Sequence, residues 1–131
     1  MADTLSMEAA WRTRITALFG IRYPVLAGGL MWLSDASYVA AVVRAGAMAF
    51  MTPRSFDSVQ AFGAELDRCH ALSEGHAFGV NLTLSRRGEA NQDVPAQLET
   101  ALAAGVRHFE SVGPSPGALI ERIQAAAGVV S

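Results

Sequence analysis

Along this chain, short apolar runs alternate with longer stretches in which apolar residues recur every three or four positions. The first helical stretch is Ser6 to Phe19, closed by Gly20. After Pro24 comes the run Val25-Leu26-Ala27, then Gly28-Gly29. Ser34 is a suitable N-cap for a helix from Asp35 to Ala45, whose stripe is Tyr38, Val39, Val42 and Val43. Gly46 stands where a helix C′ glycine would, and Met48 to Met51 reads as a second strand. A helix from Asp57 to Leu72 presents Val59, Phe62, Leu66 and Cys69 on one face, with the stop signal Ser73-Glu74-Gly75. Ala77 to Asn81 is the third predicted strand, and a polar loop, Ser85 to Asp93, leads to a helix from Pro95 to Ala104. Val106 to Glu110 is the fourth strand. Ser115-Pro116 opens a helix through Ala127, and Gly128-Val129-Val130 begins a fifth strand.

The junctions recur. Arg44-Ala45-Gly46-Ala47, Ala103-Ala104-Gly105-Val106 and Ala126-Ala127-Gly128-Val129 each pass from helix through glycine into strand. Serial βα units of this kind predict an α/β fold with a parallel sheet. Two architectures compete: a complete doubly wound sheet, or part of a (β/α)8 barrel, which needs ~250 residues. The chain stops one residue after an apolar pair, with no helix to cover the last strand. The reading is therefore the N-terminal half of a TIM (β/α)8 barrel, ending in the fifth strand.

Composition narrows the classes. Of 131 residues, 51% are hydrophobic and 17% charged, the balance of a packed body rather than a disordered one. Ten Lys+Arg against twelve Asp+Glu give a net charge of -2 with no basic stripe, so no nucleic-acid partner is expected. One cysteine, Cys69, rules out an internal disulfide. No apolar run approaches the ~18–20 residues that span a bilayer, and the acid-containing N-terminus lacks a cationic signal region. The expectation is a cytoplasmic protein with no membrane partner.

Known small α/β sites do not match. Neither G-x-G-x-x-G nor G-x-x-x-x-G-K-[ST] occurs, and the turn after the first strand lacks the acids of a receiver domain. Four ordered blocks do resemble a family. They are Thr13 through Gly29; Trp32-Leu33-Ser34-Asp35 leading to Arg44-Ala45-Gly46; Phe78-Gly79-Val80-Asn81-Leu82-Thr83; and Phe109-Glu110-Ser111-Val112-Gly113-Pro114-Ser115-Pro116. Together they resemble the FMN-dependent nitronate monooxygenases, formerly 2-nitropropane dioxygenases, which are similar to the flavin-type enoyl-ACP reductases. The resemblance covers residues 13–131 and leaves 1–12 as an N-terminal extension. It departs where the family often has Gln at Ala27 and Met at Leu30.

The resemblance implies a TIM-barrel FMN enzyme that oxidises a small-molecule nitronate with O2, or alternatively a flavin-dependent enoyl-thioester reductase. It also implies that the catalytic histidine and the FMN phosphate loops lie beyond Ser131, so that 1–131 is a partial domain with little turnover alone. A third reading is a non-catalytic half-barrel that self-associates through its open sheet edge.

Barrel chemistry belongs at the C-terminal ends of the strands. Those positions are Ala27-Gly28-Gly29 with Leu30 following, Thr52, Asn81 and Glu110; these are the candidate cofactor-binding residues. Gly28 and Gly29 would let backbone amides approach a planar ring. Asn81 offers both a donor and an acceptor, and Glu110 is the carboxylate at a strand end. Met31 and Trp32 could wall the pocket. His70, His76 and His108 suit a base by type, but position argues against each. No residue in the chain is assigned as catalytic, and none as a metal ligand.

Overall fold

The computed structural model describes residues 11–131. The start of the expected first helix, 6–10, and most of the extension lie outside the described residues. Five strands form one sheet in the order β1-β2-β3-β4-β5, every neighbouring pair parallel: β1 (Leu26–Ala27), β2 (Met48–Met51), β3 (Gly79–Thr83), β4 (His108–Val112) and β5 (Val129–Val130). Helix α1 (Arg14–Phe19) precedes β1; α2 (Ala36–Arg44), α3 (Val59–Leu72), α4 (Val94–Ala103) and α5 (Ala118–Ala125) fill the crossovers. This is the parallel α/β architecture expected from the repeats.

Caps explain most helix boundaries. Thr13 and Thr16 form a reciprocal capping box at the start of α1, and Gly20 ends it with φ 64°. For α2 the cap is Asp35, whose carboxylate accepts from the Tyr38 amide at 2.9 Å. The expected cap, Ser34, instead accepts the Leu30 amide at 2.8 Å and braces the preceding turn. Helix α5 starts at Ala118 rather than Ser115-Pro116, behind a turn in which Gly113 and Gly117 take positive φ. The last junction differs from the other two. Gly46 and Gly105 carry the positive φ at theirs, whereas here Ala127 takes it (φ 58°), and a Cβ on Gly128 would lie 2.5 Å from Ile123 Cγ2.

Strand alternation divides the sheet into two faces. Ala49, Met51, Val80, Leu82 and Phe109 point to the helices and join Val39, Val43, Phe62, Leu66 and Leu98 in the larger core. The inner face carries Met48 and Phe50, on which Phe19 of α1 packs as a plug, edge-on to Phe50 with ring centroids 6.3 Å apart. His108 stands on the same face, 5.5 Å from the Phe19 ring, and burial pushes its imidazole below the ordinary value.

The sheet is tightly curled. The Gly29 amide, just after β1, donates to Glu110 Oε2 on β4 at 2.8 Å. Three strand intervals of ~4.8 Å would set these strands ~14 Å apart on a flat sheet, out of reach of one glutamate side chain. Barrel-like curvature closes that gap.

Candidate functional site

Strands β3 and β4 each run two residues past their expected ends, because Asn81-Leu82-Thr83 pairs in register with Glu110-Ser111-Val112. Asn81 and Glu110 are therefore directly opposed inside the sheet rather than at its rim. Their side chains share the inner face with Thr83. The Asn81 Nδ2 donates to Glu110 Oε2 at 2.6 Å, and the Thr83 hydroxyl donates to Asn81 Oδ1 at 2.6 Å. An ionised carboxylate only accepts, so the amide must turn its NH2 toward Glu110, and its orientation is fixed. Oε2 thus takes two N–H donors, from Gly29 and Asn81. Among the described residues, Oε1 takes none and no cation pairs with it.

Thr52 completes the group. It is 2% exposed, and its Oγ1 is buried without a hydrogen-bond partner. A Cβ added to Gly29 would fall 2.4 Å from Asn81 Cβ and 2.6 Å from Thr52 Oγ1; one added to Gly28 would fall 2.9 Å from Glu110 Oε1. The two glycines are needed so that the chain's own side chains can close over the β1 turn. The space beside them is filled by protein, which differs from the sequence expectation of a clear approach for a planar ring. Asn81 also differs: at 2% exposure it turns its donor and acceptor inward, while half-buried Glu110 stands nearer the surface.

Five of the seven candidate residues, Gly28, Gly29, Thr52, Asn81 and Glu110, converge here. The other two do not. Ala27 packs on the helix-side core, and Leu30 lies exposed in the following turn. Met31, Trp32 and Leu33 are exposed with it, Trp32 at 70% and with φ 69°. The histidines stay outside the group: His70 bonds the Ala104 carbonyl, His76 the Ser73 carbonyl, and His108 lies below under Phe19. Burial pushes the Cys69 thiol up to about 12, so it is an inert core group.

Sequence reasoning missed Thr83 and Arg54. Thr83 carries an i, i+2 signal, since it shares a strand face with Asn81. The Arg54 guanidinium donates to the carbonyls of Thr83 and Ala90, at 3.0 and 2.9 Å, and fastens the loop after β2 to the loop after β3. Ser55 Oγ accepts the Trp32 amide at 2.8 Å and ties in the β1 turn. Among the described residues no group of three or more His, Cys, Asp or Glu could hold a metal ion, and no helix is long and apolar enough to cross a membrane.

The fold, a parallel sheet with helical crossovers, recurs in solved structures. FabK from Thermotoga maritima superposes with a TM-score of 0.80 over 91% of this chain and 36% of that one, at 21% identity. The enoyl reductase domain of MlnA from the macrolactin biosynthesis cluster of Bacillus amyloliquefaciens superposes with a TM-score of 0.65 over 76% of this chain and 23% of that one, at 16% identity. The fold is that of part of a TIM barrel. In sequence, the chain is 29% identical over 119 residues to the (3aS,4S,5R,7aS)-5-hydroxy-7a-methyl-1-oxo-octahydro-1H-indene-4-carboxyl-CoA dehydrogenase of Mycobacterium tuberculosis, covering 91% of this chain. The chain spans about a third (32%) of that relative's length. No protein-family model matches.

Proposed function

We propose that this chain supplies part of the barrel of an FMN-dependent oxidoreductase. The observation that carries the reading is the convergence of Gly28, Gly29, Thr52, Asn81 and Glu110 on the inner face of a barrel-type sheet. Gly28, Gly29, Asn81 and Glu110 also lie within the sequence blocks that resemble the FMN-dependent family.

The donor set fits a flavin edge. Two polar atoms are uncommitted, the Thr52 hydroxyl and Glu110 Oε1. A flavin ring edge presents both N–H and C=O groups, which a carboxylate and a hydroxyl can meet. Glu110 would take an N–H, Thr52 a carbonyl, and the exposed Leu30 and Met31 would offer apolar cover. Nothing in the group suits a phosphate, since Arg54 is committed to carbonyl oxygens; the phosphate belongs on other parts of the barrel. When bound, the flavin supplies the electron-accepting chemistry, and the protein's part is orientation and hydrogen bonding.

Two substrate classes divide the reading. Nitronate oxidation by O2 follows from the family resemblance. Thioester redox chemistry is favoured by the names of the similar proteins, a carboxyl-CoA dehydrogenase and an enoyl reductase domain. The test has two stages. FMN is titrated into the protein and binding followed by flavin fluorescence; saturable binding that Asn81→Ala weakens about tenfold supports the flavin site. Turnover of an alkyl nitronate with O2 is then compared with NAD(P)H-dependent reduction of an enoyl-CoA, by the full-length polypeptide. Stimulation by O2 selects the first class and stimulation by NAD(P)H the second; flavin that never binds refutes both.

A further inference from the structure

The sequence reading offers both Asn81 and Glu110 to the ligand, and the geometry gives the two residues different parts. Asn81 is 2% exposed and uses its carboxamide at both ends, accepting from Thr83 and donating to Glu110. Glu110 is half-buried, with Oε2 pinned by two N–H groups from β3 and from the β1 turn. Pinning one oxygen of a carboxylate fixes the plane of the group and therefore the direction of the other. Oε1 is left without a partner among the described residues, over Gly28, where a Cβ would crowd it to 2.9 Å. A chain of directional bonds, Thr83 O–H to Asn81, Asn81 N–H to Glu110, thus ends on a single uncommitted anionic acceptor.

We propose that Glu110 Oε1 is the group by which this site selects ligands carrying an N–H, and that Asn81 and Thr83 are positioning residues acting through it. The proposal rests on the flavin reading for its probe. A hydrogen bond to an ionised acceptor is stronger than a neutral one, so the carboxylate confers selectivity as well as affinity. A ligand offering a carbonyl in that place would meet lone pairs against lone pairs and be rejected.

The experiment compares the affinity of FMN with that of FMN methylated on its ring N–H (3-methyl-FMN), each titrated into the full-length polypeptide. The wild-type protein is expected to prefer FMN on the order of tenfold. Glu110→Ala brings the ratio to about one, and Glu110→Gln, which keeps the shape and a neutral acceptor, leaves a ratio of about three. Thr83→Val lowers the ratio two- to threefold, and Thr83→Ser restores it, on the scale of one neutral hydrogen bond. A merely structural role would weaken both ligands equally and leave the ratio unchanged. Equal wild-type affinity for the two flavins overturns the proposal while leaving the flavin reading intact. A ratio that Glu110→Gln does not move also overturns it, whether or not Glu110→Ala folds. Absence of any FMN binding overturns the flavin reading and the selectivity with it.

Discussion

Two levels of the same sheet face follow opposite rules, although they lie one side-chain repeat apart on the same strands. The lower level is apolar and closed: Phe19, Met48 and Phe50 are buried, with Val129 and the half-buried His108 against them. The upper level, Gly28, Gly29, Thr52, Asn81, Thr83 and Glu110, is polar, short of hydrogen-bond partners at two atoms, and shaped by two missing Cβ groups. The helix-side face shows no such division; apart from Ser111 on β4 it is apolar. The contrast teaches that stability is concentrated below and behind, leaving the upper level free to hold polar groups that weaken the fold.

The comparison breaks most visibly at Phe50. Phe50→Ala opens a cavity beneath Phe19 and is expected to destabilise by about 3–5 kcal/mol, read as a lowered denaturant midpoint. A loss below about 1 kcal/mol would mean that the plug is not a packed layer. Thr52→Val tests the other level. It removes a buried hydroxyl that has no partner while keeping the β-branched shape, so stability should rise by up to about 1 kcal/mol. A clear loss would show that the hydroxyl finds a partner in solution. The smallest effect is on pH. Burial lowers the His108 pKa below its ordinary 6.5, so the unfolded chain binds the proton more readily than the folded one. His108 therefore contributes stability that is present above that ordinary value and lost as pH falls through it. His108→Gln should flatten this dependence in urea melts taken between pH 7.5 and 5; an unchanged slope would assign it to other groups.

The helix–glycine–strand junctions and the periods of the stripes were enough to read the order and parallel sense of all five strands, because burial on both faces leaves a strong apolar signal. Strand ends were less legible. Polarity at Thr83 looked like loop, yet pairing continues through it because the inner face of a barrel tolerates polar side chains toward its C-terminal end. Position along strands brought out Asn81, Glu110, Thr52 and the two glycines. Their roles depended on facts that no single chain segment carries: which oxygen of Glu110 is occupied, and what fills the space above Gly29. Ser34 shows the same limit, since its hydroxyl could serve either the helix after it or the turn before it, and packing chose the turn.

The bond from the Gly29 amide to Glu110 joins positions 81 residues apart. Contacts of such separation are costly in chain entropy and give nothing back until the intervening strands have docked. The upper level is consequently among the last parts of the molecule to be assembled and the first to loosen. Ligand capacity at Glu110 would then appear only after the sheet has acquired its full curl, making the carboxylate a gauge of completed folding as well as a contact.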